Sequence, residues 1–343
     1  MYFASDNSGP VSDEILDALR RANVDFTLSY GSDALTKKAQ HMVREKFEAP
    51  TAAVFFVATG SAANVLALST LGQPWQTIYC TEHAHIHKDE CAAPEFFGGN
   101  KLTIVSSNDK IQSEELYSNI RKDEYRGVHG VQRGPISITQ TTEKGSIYSL
   151  DELRTLTKIA KEFNLPIHMD GARLANALVA LDCTPAEMTW KLGIDAVSLG
   201  GTKNGCLQLE AVIFFDPSHG WEFELRRKRG AHLICKHRFL AAQMIEYLKN
   251  DLWLHNARLA NSNALYLANG LQDRSMFLEE MPKANMVFAS MPRSMHKHLI
   301  NSGATYYLWD GALDGPENEL ITGRFVCDWS ISRSQIDEFL DLL

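Results

Sequence analysis

Ala53-Val54-Phe55-Phe56-Val57 and Ala211-Val212-Ile213-Phe214-Phe215 are apolar at every position. A strand carries such a run only where both faces of its sheet are covered. Five more short strand-like runs lie between them, at residues 77–80, 102–105, 136–139, 166–169 and 195–199. Helix-like stretches separate them: 62–71 after the first run, a polar one near 113–122, and one from Leu150 with Leu153, Leu156, Ile159 and Ala160 on a single stripe. This alternation predicts an α/β fold with a mostly parallel seven-stranded sheet. Past residue 240 the pattern changes. A helical region spans 239–271, followed by short strands at 286–288 and 305–308 and a terminal helix from Ser332. The chain of 343 residues therefore reads as a large domain over 1–240 and a smaller C-terminal α+β domain over 241–343.

Charge and composition narrow the function classes. With 34 basic and 42 acidic side chains the net charge is −8, so no nucleic-acid footprint is expected. The basic run Arg226-Arg227-Lys228-Arg229 reads as a solvated or interface helix. The six cysteines form no CxxC pair, which fits reduced thiols in a cytoplasmic protein. The first residues lack a signal-peptide pattern. The most apolar stretch, 52–71, is broken by Thr59, Gly60, Ser61 and Asn64, too interrupted for a membrane span.

In open α/β sheets ligands bind where strands end, and chemistry-bearing residues stand at those points. Thr59-Gly60-Ser61 joins a strand to a helix; it can present backbone N–H groups and a hydroxyl to an anion, or be a plain capped turn. Lys203, in Gly200-Gly201-Thr202-Lys203-Asn204-Gly205, is either a solvated loop lysine or a desolvated amine able to form a Schiff base. Asp170 ends a run 33 residues before it; it either faces the crevice or caps the next helix. His83, His85 and His87 alternate beside Glu82, Asp89 and Glu90. They allow zinc ligation, a stacking or acid–base histidine, or plain loop histidines. No second cluster at metal-ligand spacing accompanies them, so no metal is assigned.

Taken in order, Ser5-Asp6, Tyr30-Gly31-x-Asp33, Thr59-Gly60-Ser61, His85, His168-Met169-Asp170-Gly171-Ala172-Arg173 and Lys203 form a pattern. The sequence resembles the threonine aldolase/β-eliminating lyase family of fold-type I pyridoxal-phosphate enzymes, from Ser5 to Arg324. The resemblance implies a PLP-dependent transferase-like fold. It also implies that Lys203 bonds the cofactor aldehyde, that Asp170 pairs with the pyridine nitrogen, and that Thr59, Gly60 and Ser61 hold the phosphate. His85 would stack on the ring. Arg173 would contact the ring's phenolic oxygen or the substrate carboxylate, which Ser5 and Arg324 would also bind. His129 matches a second active-site histidine. Tyr30 would reach a neighbouring subunit, implying a homo-oligomer, a dimer of dimers.

The implied reaction is retro-aldol cleavage of threonine, allo-threonine, phenylserine or a related β-hydroxy-α-amino acid to glycine and an aldehyde. β-Elimination, racemisation and transamination are the alternatives on the same cofactor. Three segments depart from the common pattern. Thr202-Lys203-Asn204 stands for Ser-Lys-Gly, leaving Thr202 as a candidate phosphate contact. Thr139-Gln140-Thr141-Thr142 stands for Glu-Asn-Thr-His. Cys235-Lys236-His237 stands for Met-Arg-Gln, so Lys236 is expected to supply the phosphate-binding cation.

Overall fold

The seven runs become one sheet: β1 (Ala53–Val57), β2 (Thr77–Thr81), β3 (Lys101–Ser106), β4 (Ile136–Thr139), β5 (Ile167–Gly171), β6 (Ala196–Gly200) and β7 (Glu210–Phe214). The structure is a computed structural model; it describes residues 1–343 apart from the side chains of residues 124 and 125. Strand order is β1-β7-β6-β5-β4-β2-β3. The pairs β2/β3, β2/β4, β4/β5 and β5/β6 are parallel. β7 runs antiparallel to both neighbours, β1 and β6, so six strands point one way and β7 points back.

The continuous apolar runs have the expected cause. Along β1, Val54 and Phe56 enter the main core with Ile15, Val43 and Tyr247, while Phe55 and Val57 enter a second core on the other face with Ala62, Leu66 and Phe223. Alternate side chains point to opposite faces, and helices cover both. Helix Leu150–Glu162 starts as its stripe predicts, with Ser149 and Glu152 forming a capping box.

The C-terminal part carries a second, antiparallel sheet, in the order β10-β11-β9-β8: β8 (Phe277–Leu278), β9 (Met286–Pro292), β10 (Tyr307–Leu308) and β11 (Leu320–Val326). The helical region before it is two helices, Arg238–Leu248 and Leu252–Asp273. The chain breaks between them where Asn250 and Asp251 adopt left-handed backbone (φ +51° and +55°). The second of these helices runs from the main core at Trp253 and Ala257 into the small core at Ala264, Leu267 and Leu271. Among the described residues no helix is long and apolar enough to cross a membrane.

An N-terminal arm ties the two parts together. Phe3 is fully buried in the small core, edge-on to Phe339. Its N–H donates to Thr305 O (2.7 Å) and its carbonyl accepts from Val326 N (2.7 Å). A few residues on, Ser12 N donates to Gly205 O (3.0 Å), which lays residues 5–12 across the loop that bears Lys203.

Candidate active site

Because β7 is reversed, one edge of the sheet collects the ends of β1, β5 and β6 together with the start of β7. A cleft of about 280 Å³ opens there, lined by Asn7, Thr59, Gly60, Ser61, Asn64, His85, Glu143, Asp170, Thr202, Lys203 and Glu210 among others. Two glycines allow the approach. A Cβ on Gly200 would fall 2.2 Å from Ala172 O and one on Gly171 2.8 Å from Ser198 O. Only glycine lets the turn after Asp170 and the loop before Lys203 lie against each other.

Asp170 does not cap a helix. Its side chain is buried, with Oδ1 accepting from Ala172 N (3.0 Å) and Oδ2 from Asn64 Nδ2 (2.9 Å). Thr59 is the residue that caps helix Gly60–Leu71, its Oγ1 accepting from Ala62 N (3.2 Å). That leaves the Ser61 hydroxyl free of the cap. A Cβ on Gly60 would meet nothing within 4 Å, so the space over this helix start is open. Thr202 departs from the expected phosphate contact. Its hydroxyl is engaged with Leu209, accepting from the backbone N–H (3.0 Å) and donating to the carbonyl (3.4 Å). It stitches the lysine loop to β7.

The three alternating histidines go to three different partners. His85 Nδ1 meets Glu90 Oε1 at 2.8 Å, His87 Nδ1 meets Glu82 O at 2.9 Å, and the His83 ring packs on Trp309. Among the described residues no group of three or more His, Cys, Asp or Glu converges as metal ligands. Hydrogen bonding to Glu90 raises the His85 pKa, with Asp170 adding to the effect against burial.

Arg173 is held in a buried bidentate pair with Asp6, Nε–Oδ2 at 2.7 Å and Nη2–Oδ1 at 2.9 Å. Burial pushes the Asp6 carboxyl up. The Arg173 charge and hydrogen bond, with the charge of Lys203, outweigh it and hold the pKa below the ordinary value. Asn285 Nδ2 also donates to Asp6 Oδ2 (3.0 Å). Arg324, on β11, is half-buried, and its Nε has no partner. Burial and the nearby Arg173 charge both lower its pKa, an environment that favours an added anion. Ser5 stands just before this pair, its Oγ accepting from Asn7 N (3.1 Å).

Six predicted site residues are absent from the lining of this cleft: Ser5, Arg173 and Arg324, described above, and His129, Lys236 and Tyr30. His129 is exposed at the end of a short helical turn. Lys236 is exposed, whereas its neighbour His237 is the buried one. Tyr30 is 47% exposed, with Lys228 Nζ 4.9 Å from its ring centroid. Among the described residues Lys203 is the only cation lining the cleft.

The sequence reading missed Glu210 and Asn64 as site residues and noted Glu90 only as a neighbour of the histidines. Glu210 opens β7; burial pushes its carboxyl up to about 7, against the Thr202 hydrogen bond and the Lys203 charge. A polar residue opening a run of apolar ones was the signal for Glu210, and an asparagine inside an apolar helix was the signal for Asn64.

An amine, a buried carboxylate and an open helix start with a free hydroxyl match what an aldehyde, a ring nitrogen and a phosphate require. The residues present therefore fit pyridoxal phosphate.

A sequence profile of the beta-eliminating lyase family matches residues 2–294. The chain is 38% identical to a low-specificity L-threonine aldolase of Pseudomonas sp. strain NCIMB 10558, over 98% of this chain and 95% of that one. It is 36% identical to the protein of the same name from Pseudomonas aeruginosa, with the same coverage. A solved structure of Leishmania major threonine aldolase superposes with a TM-score of 0.92 at 27% identity, covering 99% of this chain and 98% of that one.

Proposed function

The chain belongs to the beta-eliminating lyase family, and from that premise we infer that it is a pyridoxal-phosphate-dependent aldehyde-lyase. It cleaves L-threonine, allo-threonine or a related β-hydroxy-α-amino acid to glycine and an aldehyde. The observation that carries this reading is the convergence of Lys203, Asp170 and His85 on one cleft beside the unpartnered Arg324 Nε. Bound there, pyridoxal phosphate supplies a conjugated ring that accepts the electron pair of a breaking bond at the substrate's α carbon.

The chain's own residues do the rest. Lys203 Nζ holds the cofactor aldehyde. The Asp170 carboxylate, fixed by Asn64 and the Ala172 N–H, keeps a proton on the ring nitrogen. The backbone at Gly60 and the Ser61 hydroxyl hold the phosphate at the helix start. Arg324, with Ser5 and the Asp6-braced Arg173, fixes the substrate carboxylate. This fixing would orient the substrate so that its Cα–Cβ bond, and not Cα–H, is the one presented for cleavage. His85 takes the β-hydroxyl proton. The assignment does not extend to His129, which does not line this cleft.

The reading includes a cytoplasmic homo-oligomer, a dimer of dimers. Supporting it, Val24, Phe26, Leu28 and Tyr30 put large side chains into solvent from the loop between helices Asp13–Ala22 and Ala34–Lys46, Phe26 completely. Tyr30 and Lys236 also stand away from their own cleft, where a second copy can use them.

The test has two parts. Borohydride reduction of the cofactor-loaded protein followed by peptide mapping is expected to label Lys203, and Lys203→Ala is expected to lose label and turnover together. A panel of β-hydroxy amino acids is expected to yield glycine plus aldehyde. Label at another lysine, or pyruvate plus ammonia as products, would overturn the reading.

A further inference from the structure

One amide joins two buried acids at the cleft wall. Asn64 Nδ2 donates to Asp170 Oδ2 at 2.9 Å and to Glu90 Oε1 at 3.0 Å, which uses both of its N–H bonds. Glu90 Oε1 in turn meets His85 Nδ1 at 2.8 Å. The Glu90 side chain has no exposed surface, and Asn64 is 2% exposed. Burying a carboxylate is unfavourable unless it is well paired. Here the pairing is incomplete, because Glu90 Oε2 and Asn64 Oδ1 have no partner. A group buried in this manner is poorly explained by stability alone.

We propose that Glu90 is the positioning residue for His85, and that Asn64 is the clip that holds Glu90 in register with Asp170. The contact places the imidazole proton on Nδ1, toward Glu90, and leaves Nε2 bare. Among the described residues nothing hydrogen-bonds Nε2. The charged groups facing His85 come from three segments, Glu90, Asp170 and Glu143, all acidic. They favour the cation that forms when Nε2 takes a proton. The proton leaves the substrate hydroxyl as the Cα–Cβ bond breaks, rests on Nε2 while Nδ1–H stays with the Glu90 carboxylate, and passes from Nε2 to the α carbon of the nascent glycine once the aldehyde has left. Glu90 itself exchanges no proton with substrate. In this arrangement the ring-nitrogen partner and the imidazole share one buried support, so a shift in either carboxylate is felt at both.

The proposal deepens the reading of His85 given above, and its test reads the imidazole directly, so the two fail separately. The ring nitrogens and Cε1 of His85 are followed by NMR in histidine-labelled, cofactor-loaded protein, with His85→Asn assigning the signal. The parent is expected to show the Nδ1–H tautomer when neutral; this measurement needs no variant. In Glu90→Gln the amide carbonyl still accepts from Nδ1–H. The tautomer should persist while the midpoint falls by about 1 pH unit or more, and the acid limb of the kcat profile should move with it. In Asn64→Ala, Glu90 loses its clip, and the ring should exchange between tautomers. An Nε2–H tautomer in the parent, or an unmoved midpoint in Glu90→Gln, would overturn the proposal. An aldolase that lacks the reaction above but keeps these shifts would leave the proposal standing and remove only the function.

Discussion

Each residue of the candidate site is held by named neighbours. Asp170 reaches the cleft as a fixed acceptor because Asn64 and the Ala172 N–H hold both of its oxygens. Asp170→Asn is expected to lose turnover on the order of 10²–10³-fold, with a much smaller change in cofactor affinity. Stopped-flow rates and absorbance titration separate the two. Arg173 owes its place to Asp6, and the pair is almost wholly dry, at 3% and 1% exposure. Asp6→Asn strands a buried guanidinium and is expected to cost about 3–5 kcal/mol of stability, read from urea unfolding. The sign of its pH dependence follows from a depressed folded pKa. The pair's stabilisation is whole above the ordinary aspartate pKa of about 3.9 and fades as pH falls through the lower folded value. Lys203, Asp170 and His85 were legible in the sequence because each closes or follows an apolar run. The present partner of the Thr202 hydroxyl was not legible, because nothing in Thr202-Lys203-Asn204 announces that Leu209, seven residues on, bonds it.

At the level of strands, direction decides what the site receives. Parallel strands give the carboxyl edge their last residues; β7, running backward, gives its first. The sequence rule that looks for chemistry at strand ends therefore passes over Glu210. Its carboxyl, pushed up to about 7 by burial, works against the fold when charged. The stabilisation of its protonated form is complete below the unfolded pKa and is lost as pH rises through 7, about 3 kcal/mol in all. Glu210→Gln is expected to be more stable than the parent at pH 8 and little different at pH 5, checked by urea midpoints at both values. Strand β11 escaped notice for another reason. Thr322-Gly323-Arg324 interrupts its apolar pattern, and the strand is held by β9 and β10 on either side, not by its own composition. The break at Asn250 and Asp251 was hidden likewise, since left-handed residues at a helix junction leave no periodic trace.

At the scale of the whole molecule, one long helix spans the main and small cores, and the N-terminal arm laces them together. The exposed side chains of Val24, Phe26 and Leu28 are far more apolar surface than a solvated loop needs. Phe26→Asp is expected to lower the particle mass seen by sedimentation velocity while leaving the monomer folded by circular dichroism; an unchanged mass would remove the loop bearing Phe26 from the subunit contact. The change of pattern near residue 240 marks where the strand-like runs of the large sheet stop, although Leu240, Met244, Tyr247 and Trp253 still pack in the main core. The partners of the N-terminal arm were not legible, because Phe3 and Asp6 find them hundreds of residues away. That distance bears on how the protein is made. Asp6 and Asn285 are 279 residues apart, so on a ribosome the first of them waits on the order of tens of seconds for the second. Through that interval Asp6 can already pair with Arg173 and Ser12 with Gly205, yet the arm lacks the Asn285 amide and the Thr305 and Val326 backbone that fasten its other end. The earliest-born segment of the chain thus takes its outer stitches last, and a nascent polypeptide interrupted before residue 285 would hold Lys203 under an arm fastened at one end only.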